Sequence, residues 1–129
     1  MSDLVMIDTS CWVEFFRNND NNIADNVQNL IQTDRACLCG IIELEIIQGI
    51  RNTQQSSLIK DLFTILPYFD FQRSDFINSG ITIRELRATG ITVAISDTLI
   101  AELCIRNSLF IYSTDKDFNY FPNIQKYLP

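Results

Sequence analysis

Four acidic residues stand where a fold could bring their carboxylates together: Asp8, Glu45, Asp97 and Asp115. Asp8 and Asp115 each follow a short apolar run, while Glu45 and Asp97 lie in segments with helical spacing. Carboxylates gathered in a protein repel one another strongly, because the local dielectric constant is low. A hard divalent cation relieves that repulsion, and carboxylate oxygens with water are the usual ligands of Mg²⁺ and Mn²⁺. The residue types therefore favour metal-assisted chemistry.

Two of these residues also have ordinary structural explanations. Asp8 could be a turn or helix-cap residue at the end of a strand. Asp97 stands at the start of the most regular helical pattern, where an acidic residue that caps amides and interacts with the helix dipole stabilises the helix by about 0.5–2 kcal/mol. Ser96 could cap that helix instead, which would leave Asp97 free for chemistry.

The other two compete with acidic neighbours. Glu45 shares a helical face with isoleucines, so its charge must be paired or must bind something; Glu43 has flanks typical of a more solvated position. Thr114 and Asp117 fit the capping-box pattern, in which a hydroxyl residue precedes an acidic residue by three positions. Asp115 is therefore the better candidate for chemistry in the segment YSTDKDF.

The composition excludes several reaction types. The 129 residues contain no histidine, which removes histidine acid–base catalysis, serine–histidine triads and histidine-ligated zinc. A formal net charge of −6 argues against a large basic nucleic-acid footprint. A few local cations could still hold such a substrate, and Arg17, Arg51 and Lys116 are the candidates because each is near an acidic motif in sequence.

The cysteines and the N-terminus indicate the compartment. Cys11, Cys37, Cys39 and Cys104 have apolar neighbours and no zinc-binding spacing, so we expect reduced, buried thiols in a cytoplasmic protein. The segment MSDLVMI lacks the features of a signal peptide, and no apolar stretch approaches the ~20 residues that span a bilayer. We expect no membrane association.

The order of apolar patterns predicts an α/β fold in one domain, residues 1–129. Short β-prone runs occur at residues 4–7, 36–39, 64–66 and 109–112, and longer segments with helical spacing separate them. Residues 18–22, 54–57 and 88–90 are typical of connections. Such an alternation favours a parallel sheet covered on both faces, with ligands bound beyond the carboxyl ends of its strands.

Four motifs resemble those of a known family. VMIDTSCWVEFF, EIIQG, LRATGITVAISDTLIAE and YSTDKDF are similar, in order and spacing, to PIN-domain ribonucleases, and more narrowly to the VapC toxins of bacterial type II toxin–antitoxin pairs. The resemblance implies a three-layer αβα sandwich with a mainly parallel sheet, and a Mg²⁺-dependent ribonuclease. It also implies RNA as substrate, inhibition by a cognate antitoxin protein, and a homodimer.

The resemblance carries over to particular residues. Asp8, Glu45, Asp97 and Asp115 match the family's acidic active-site positions, and Asp8 and Asp97 match those usually named as magnesium ligands. In the mechanism we expect, Asp8, Asp97 and Asp115 hold Mg²⁺ or Mn²⁺, and Glu45 orients or deprotonates the attacking water. Two positions depart from the family pattern: Ser113 replaces a common threonine, and Glu102, which we expect to face water, replaces a small residue.

Two other functions have to be distinguished from this one. A Mg²⁺-dependent phosphatase could use Asp8 as nucleophile, but such enzymes commonly need a second aspartate where this chain has Ser10. A catalytically silent, PIN-like RNA-binding module should lack one of the four acids, and none is missing here. The aromatic run Trp12, Phe15 and Phe16 could contact a partner protein, although aromatic residues at helical spacing are usually core.

Overall fold

The computed structural model describes residues 3–18 and 20–129 and is built around a parallel sheet. The strands are β1 (Val5–Ile7), β2 (Ala36–Cys39), β3 (Tyr68–Phe69), β4 (Phe110–Tyr112) and β5 (Gln125–Lys126). The α-helices are α1 (Thr9–Phe16), α2 (Asn22–Gln32), α3 (Gly40–Gln48), α4 (Thr53–Ile65), α5 (Arg73–Ala88) and α6 (Ile95–Asn107), and a 3₁₀ helix spans Lys116–Tyr120.

Helices cover the sheet on both faces. Every residue of β1 and β2 is buried, and successive side chains of a strand point to opposite faces, so neither face of these strands reaches solvent. The predicted α/β class with a three-layer αβα arrangement is confirmed, and all the strand pairings are parallel. Within the described ranges, no helix is long and apolar enough to cross a membrane.

The strand order places a switch point at the centre of the sheet. The order is β3-β2-β1-β4-β5, so the chain moves outward from β1 in one direction and later returns to its other side. Ile7 at the end of β1 pairs with Tyr112 at the end of β4. Ligands of open α/β sheets bind at such a point, beyond the carboxyl ends of the strands. Asp8 and Ser113, the next residues of the two strands, stand there.

Two predicted boundaries and one missing strand require correction. Residues 64 and 65 belong to α4 rather than to a strand: Ile59 and Phe63 form the buried face of that helix, and the two exposed residues complete its last turn. Pro67 then favours extended backbone at Leu66, and β3 follows it. The predicted connection at residues 54–57 is the start of α4. Strand β5, at the sheet edge, was not predicted because its two residues are exposed and polar.

Two of the predicted connections stand except at one end of each, because Asn22 begins α2 and Ala88 ends α5. Residue 19, inside the predicted connection 18–22, and residues 1 and 2 of the predicted domain lie outside the described residues. Residues 89 and 90 of the third connection follow the end of α5. Gly90 has φ +88°, a conformation that a residue with a Cβ rarely adopts.

The hydrophobic core contains Trp12 of the aromatic run and all four cysteine thiols. Trp12 is fully buried, with its ring centroid 5.4 Å from that of Phe16 in a stacked arrangement and 5.4 Å from that of Phe63 in an edge-on one. Trp12 is therefore a core residue. The four cysteines are buried and free of disulfide bonds, as predicted.

Polar contacts join α5 to α6. Arg106 Nη2 lies 2.7 Å from Asp75 Oδ2, and the Asp75 side chain is 1 % exposed. Asp75 also accepts a 2.8 Å hydrogen bond from the backbone amide of Gln72 at the start of α5. Glu102 accepts a 3.0 Å hydrogen bond from the Thr82 hydroxyl and is partly exposed, so it faces water only in part.

Candidate metal centre

Asp8 is held at the switch point by both its backbone and its side chain. Its amide donates to the carbonyl of Tyr112 at 2.9 Å, which extends the pairing of β1 with β4 by one residue. No side-chain hydrogen bond of Asp8 caps helix α1, which begins at the next residue. The Ser113 hydroxyl instead donates to Asp8 Oδ2 at 2.6 Å. Asp8 thus occupies the N-cap position of α1, as the predicted alternative has it, but its side chain does not cap the helix.

The environment of Asp8 favours its protonated form. The side chain is 7 % exposed, and this burial raises the pKa of Asp8 above its usual value. The hydrogen bond from Ser113 acts in the opposite direction, while the negative charges of Glu45 and Asp115 raise the pKa further. Because three sequence-predicted acids influence one another electrostatically, the fold brings them into one neighbourhood.

Glu45 reaches this neighbourhood from helix α3, which directly follows β2. Its Oε1 accepts a 2.7 Å hydrogen bond from the hydroxyl of Thr9, the first residue of α1. The contact fixes the carboxylate of one helix against the start of another, beside Asp8. Glu43 on the same helix is half-buried, and Glu45 is the acid whose charge acts on Asp8.

Three carboxylates form the most compact acidic group. Single oxygen atoms of Asp97, Asp115 and Asp117 all lie within 4.8 Å of one another. Asp97 is the third residue of α6, a helix whose N-terminus has no side-chain cap, so neither Asp97 nor Ser96 performs the predicted capping role. Asp115 and Asp117 come from the segment that follows β4.

The predicted capping box of Thr114 and Asp117 is wrong. Asp115 caps the 3₁₀ helix, because its Oδ1 accepts a 2.9 Å hydrogen bond from the amide of Asp117. The Thr114 hydroxyl donates to Ser10 Oγ at 3.1 Å. The side chain of Asp117 is thus free to join Asp97 and Asp115. Sequence reasoning missed this residue, although its position two residues after Asp115 was a usable signal.

The raised pKa of Asp97 shows that the charged carboxylates in this group repel one another. The pKa of Asp97 is raised to about 7, and burial is the largest cause. The next causes are a hydrogen bond shared with Asp115 and the negative charges of Asp115, Asp8 and Asp117. In the described parts of the chain, no lysine or arginine forms an ion pair with these carboxylates. The repulsion is therefore left without a protein cation to offset it.

The donor set suits a hard divalent cation. Mg²⁺ and Mn²⁺ bind carboxylate oxygens and retain water, and their charge would relieve the repulsion that raises the pKa values of Asp8 and Asp97. Asp97, Asp115 and Asp117 offer three oxygens at one place, and Asp8 lies beside them. Direct ligation by Asp8 stays a prediction.

The three candidate RNA-binding cations occupy different places. Arg17 lines a cavity that Glu45 and Thr9 also line. Lys116 lines a second cavity, together with Ser113 and Asp115. Arg51 is exposed and lines neither cavity.

Comparisons with known proteins agree with this architecture. Residues 5–124 match the PIN domain family. Ribonuclease VapC11 of Mycobacterium tuberculosis is 33% identical over 125 residues, which cover 94% of this chain and 93% of the relative. A VapC ribonuclease of Mycobacterium bovis has the same identity and coverage.

Solved structures share the fold at low sequence identity. The VapBC2 structure from Rickettsia felis, bound to a promoter DNA fragment, has a TM-score of 0.79 at 20% identity and covers 96% of this chain and 97% of the other. The DNA-bound VapBC structure from Salmonella typhimurium has the same TM-score and identity, with 98% of each chain covered.

Proposed function

This chain belongs to the PIN domain family, and we propose that it is a divalent-metal-dependent endoribonuclease of the VapC type. The observation that carries the proposal is the acidic group at the switch point. Three carboxylate oxygens lie within 4.8 Å of one another, and a hydroxyl-supported Asp8 and Glu45 stand beside them. Carboxylates of this kind are suited to metal-assisted hydrolysis of a phosphodiester.

The chain's own residues have separate tasks in this reaction. Asp97, Asp115 and Asp117 hold a Mg²⁺ or Mn²⁺ ion, and Asp8 adds negative charge or direct ligation. When bound, the cation polarises the scissile phosphate and lowers the pKa of a coordinated water. With a cation bound, the carboxylates of Asp97, Asp115 and Asp117 would repel the RNA backbone less.

Glu45 accepts the proton of the attacking water. Thr9 holds Oε1 of Glu45 at 2.7 Å, and Oε2 has no hydrogen-bond partner among the described residues. A carboxylate fixed through one oxygen and open at the other is suited to orient a water and receive its proton. Thr9 is thus a positioning residue for this base.

The proposal includes a protein partner. The relatives from Rickettsia felis and Salmonella typhimurium are VapBC complexes, and by extension this chain pairs with a small antitoxin that blocks RNA cleavage. We also assign it a homodimeric state. Co-expression with each small protein that a neighbouring reading frame encodes, followed by size-exclusion chromatography with light scattering, tests both assignments.

The direct test measures RNA cleavage by the purified chain. We expect cleavage of a single-stranded RNA with Mg²⁺, none with EDTA, and none by Asp8→Asn or Asp97→Asn proteins that retain their circular dichroism. Full activity in folded Asp97→Asn would refute the metal assignment. Hydrolysis of p-nitrophenyl phosphate without RNA cleavage would indicate the phosphatase, whereas failure to bind Mn²⁺ would indicate the silent RNA-binding module.

A further inference from the structure

A cavity of about 370 Å³ lies beside Glu45, between helices α1, α3 and α4. Glu45 and Thr9 form part of its wall, so the cavity is continuous with the candidate metal centre. Its other lining residues combine apolar surface with amides and one guanidinium, among them Val13, Phe16, Ile46, Gln48, Gln55 and Arg17. Its volume is in the range of small-molecule sites.

Several polar groups in this wall have unused hydrogen-bonding capacity. The side chains of Gln55 and Arg17 form no hydrogen bond or ion pair with any residue in the described ranges. Gln48 Nε2 donates to the carbonyl of Glu45 at 3.0 Å, and that contact leaves its Oε1 as an acceptor. The Phe16 ring is held in place by stacking on Trp12. The cavity thus offers apolar surface together with donors and acceptors.

On the premise of the proposed ribonuclease function, we infer that this cavity receives a nucleobase adjacent to the scissile phosphate and that Gln55 reads its edge. Proteins recognise single-stranded RNA by splaying out unstacked bases, packing their faces against side chains and hydrogen-bonding their edges. An amide presents a donor beside an acceptor, which complements such an edge. Arg17 at the same wall neutralises a neighbouring phosphate.

The surroundings of the acidic group favour RNA over a protein segment as the occupant. On the Asp115 side, a second cavity of about 150 Å³ is lined by Lys116 and Lys126, which are suited to phosphates. Asp115 therefore shares a cavity with cationic side chains, while Glu45 shares a different cavity with amides. RNA supplies phosphates for the lysines and bases for the amide-lined cavity, and a scissile phosphate at the carboxylates would have bases next to it for the cavity beside Glu45.

A cleavage-site experiment with a matched control tests this assignment. Wild type, Gln55→Met and Gln54→Met would each be incubated with a randomised single-stranded RNA and Mg²⁺, and the ends of the products sequenced. Gln54 and Gln55 are both exposed in the first turn of α4, but only Gln55 lines the cavity. We expect a wild-type base preference at one position next to the cut that Gln55→Met reduces about threefold to tenfold, the effect of one or two lost hydrogen bonds. Gln54→Met should preserve it.

Each other result has a defined meaning. A wild-type enzyme that cuts RNA without base preference, or a Gln55→Met variant with unchanged preference, would overturn the nucleobase assignment and leave the proposed ribonuclease intact. If Gln55→Met keeps its preference but loses the co-expressed antitoxin, the cavity is a protein-docking surface. Absence of Mg²⁺-dependent cleavage by wild type would remove the proposed function, and the inference with it.

Discussion

The Ser113 hydroxyl donates a 2.6 Å hydrogen bond to Asp8 Oδ2 across 105 positions of sequence. The two residues follow β1 and β4, the strands between which the sheet changes direction. Burial raises the pKa of Asp8, and this bond partly offsets that effect by favouring the carboxylate. Ser113 is therefore a positioning residue whose hydrogen bond favours the ionised form of Asp8.

Ser113→Ala should make activity more sensitive to acid. Removing the donor raises the pKa of Asp8 further, so the acidic limb of the pH–kcat/KM profile should move to higher pH. Ser113→Thr should retain the wild-type profile. Thr114→Val is the control: it removes a neighbouring hydroxyl that bonds to Ser10 rather than to Asp8, so it should leave the profile in place. An acidic limb that Ser113→Ala leaves in place would contradict the role assigned to Ser113.

Thr9→Val should lower turnover more than cation binding. The substitution keeps the side-chain shape but removes the 2.7 Å hydrogen bond to Glu45, so the base loses its fixed orientation. We expect kcat to fall about tenfold, with Mn²⁺ affinity by calorimetry within about twofold of wild type. Thr9→Ser should retain most activity. Equal losses of kcat and Mn²⁺ affinity would place Glu45 in cation binding instead.

Asp117→Asn should weaken cation binding. Its carboxylate belongs to the three-oxygen group with Asp97 and Asp115, so the substitution removes one negative charge from the ligand set. We expect the dissociation constant for Mn²⁺ to rise at least about tenfold, measured by isothermal titration calorimetry. Asp61→Asn on exposed α4 surface is the control for net charge. Equal effects of the two substitutions would exclude Asp117 from the ligand set.

Without divalent cations, the protein should lose stability as pH rises from about 4 to about 7. The pKa of Asp97 is 3.8 ordinarily and about 7 in the fold, so between these values the folded chain holds a proton that the unfolded chain has released. Since the side chain is partly exposed and solvent screens the repulsion, we expect a fall of about 1–2 kcal/mol.

Urea unfolding in EDTA measures this dependence. Asp97→Asn should flatten the profile, and Mg²⁺ should stabilise wild type most above the folded pKa, because the cation then binds a carboxylate that has already lost its proton. A wild-type profile in EDTA that rises across this range would show that repulsion at Asp97 is not a destabilising contribution.

Arg106→Met should destabilise the fold by about 3 kcal/mol, because it leaves the buried Asp75 without its cation. Burial acts to raise the pKa of Asp75, but the hydrogen bond and charge of Arg106 and the amide of Gln72 hold it below 3.8. The stability that Asp75 contributes is thus fully present above its pKa in the unfolded chain, and it is lost as pH falls through its pKa in the folded chain. Thermal denaturation measures the loss. Arg87→Met, on the exposed surface of α5, is the matched control and should change stability little.

The sequence alone determined the class of fold and most of the acidic residues at the site. Apolar periodicity is a local property, so most of the strands and helices could be predicted from their own residues. Parallel strands share a carboxyl edge, and this rule allowed Asp8 and Asp115 to be grouped before any contact was known. In the last turn of α4, a β-prone run at residues 64–66 conflicted with the helical spacing before it. The helix, whose buried residues are Ile59 and Phe63, continues to Ile65.

Only the tertiary structure decided how these acids are supported and which others join them. The bond from Thr9 to Glu45 spans 36 positions, and its existence depends on how α1 and α3 pack. Asp117 joins Asp97 because Asp115 caps the 3₁₀ helix in place of Thr114, a choice between two local patterns that the sequence allows equally. Hydrogen bonds between distant residues follow from strand order and helix packing, and no local pattern encodes them.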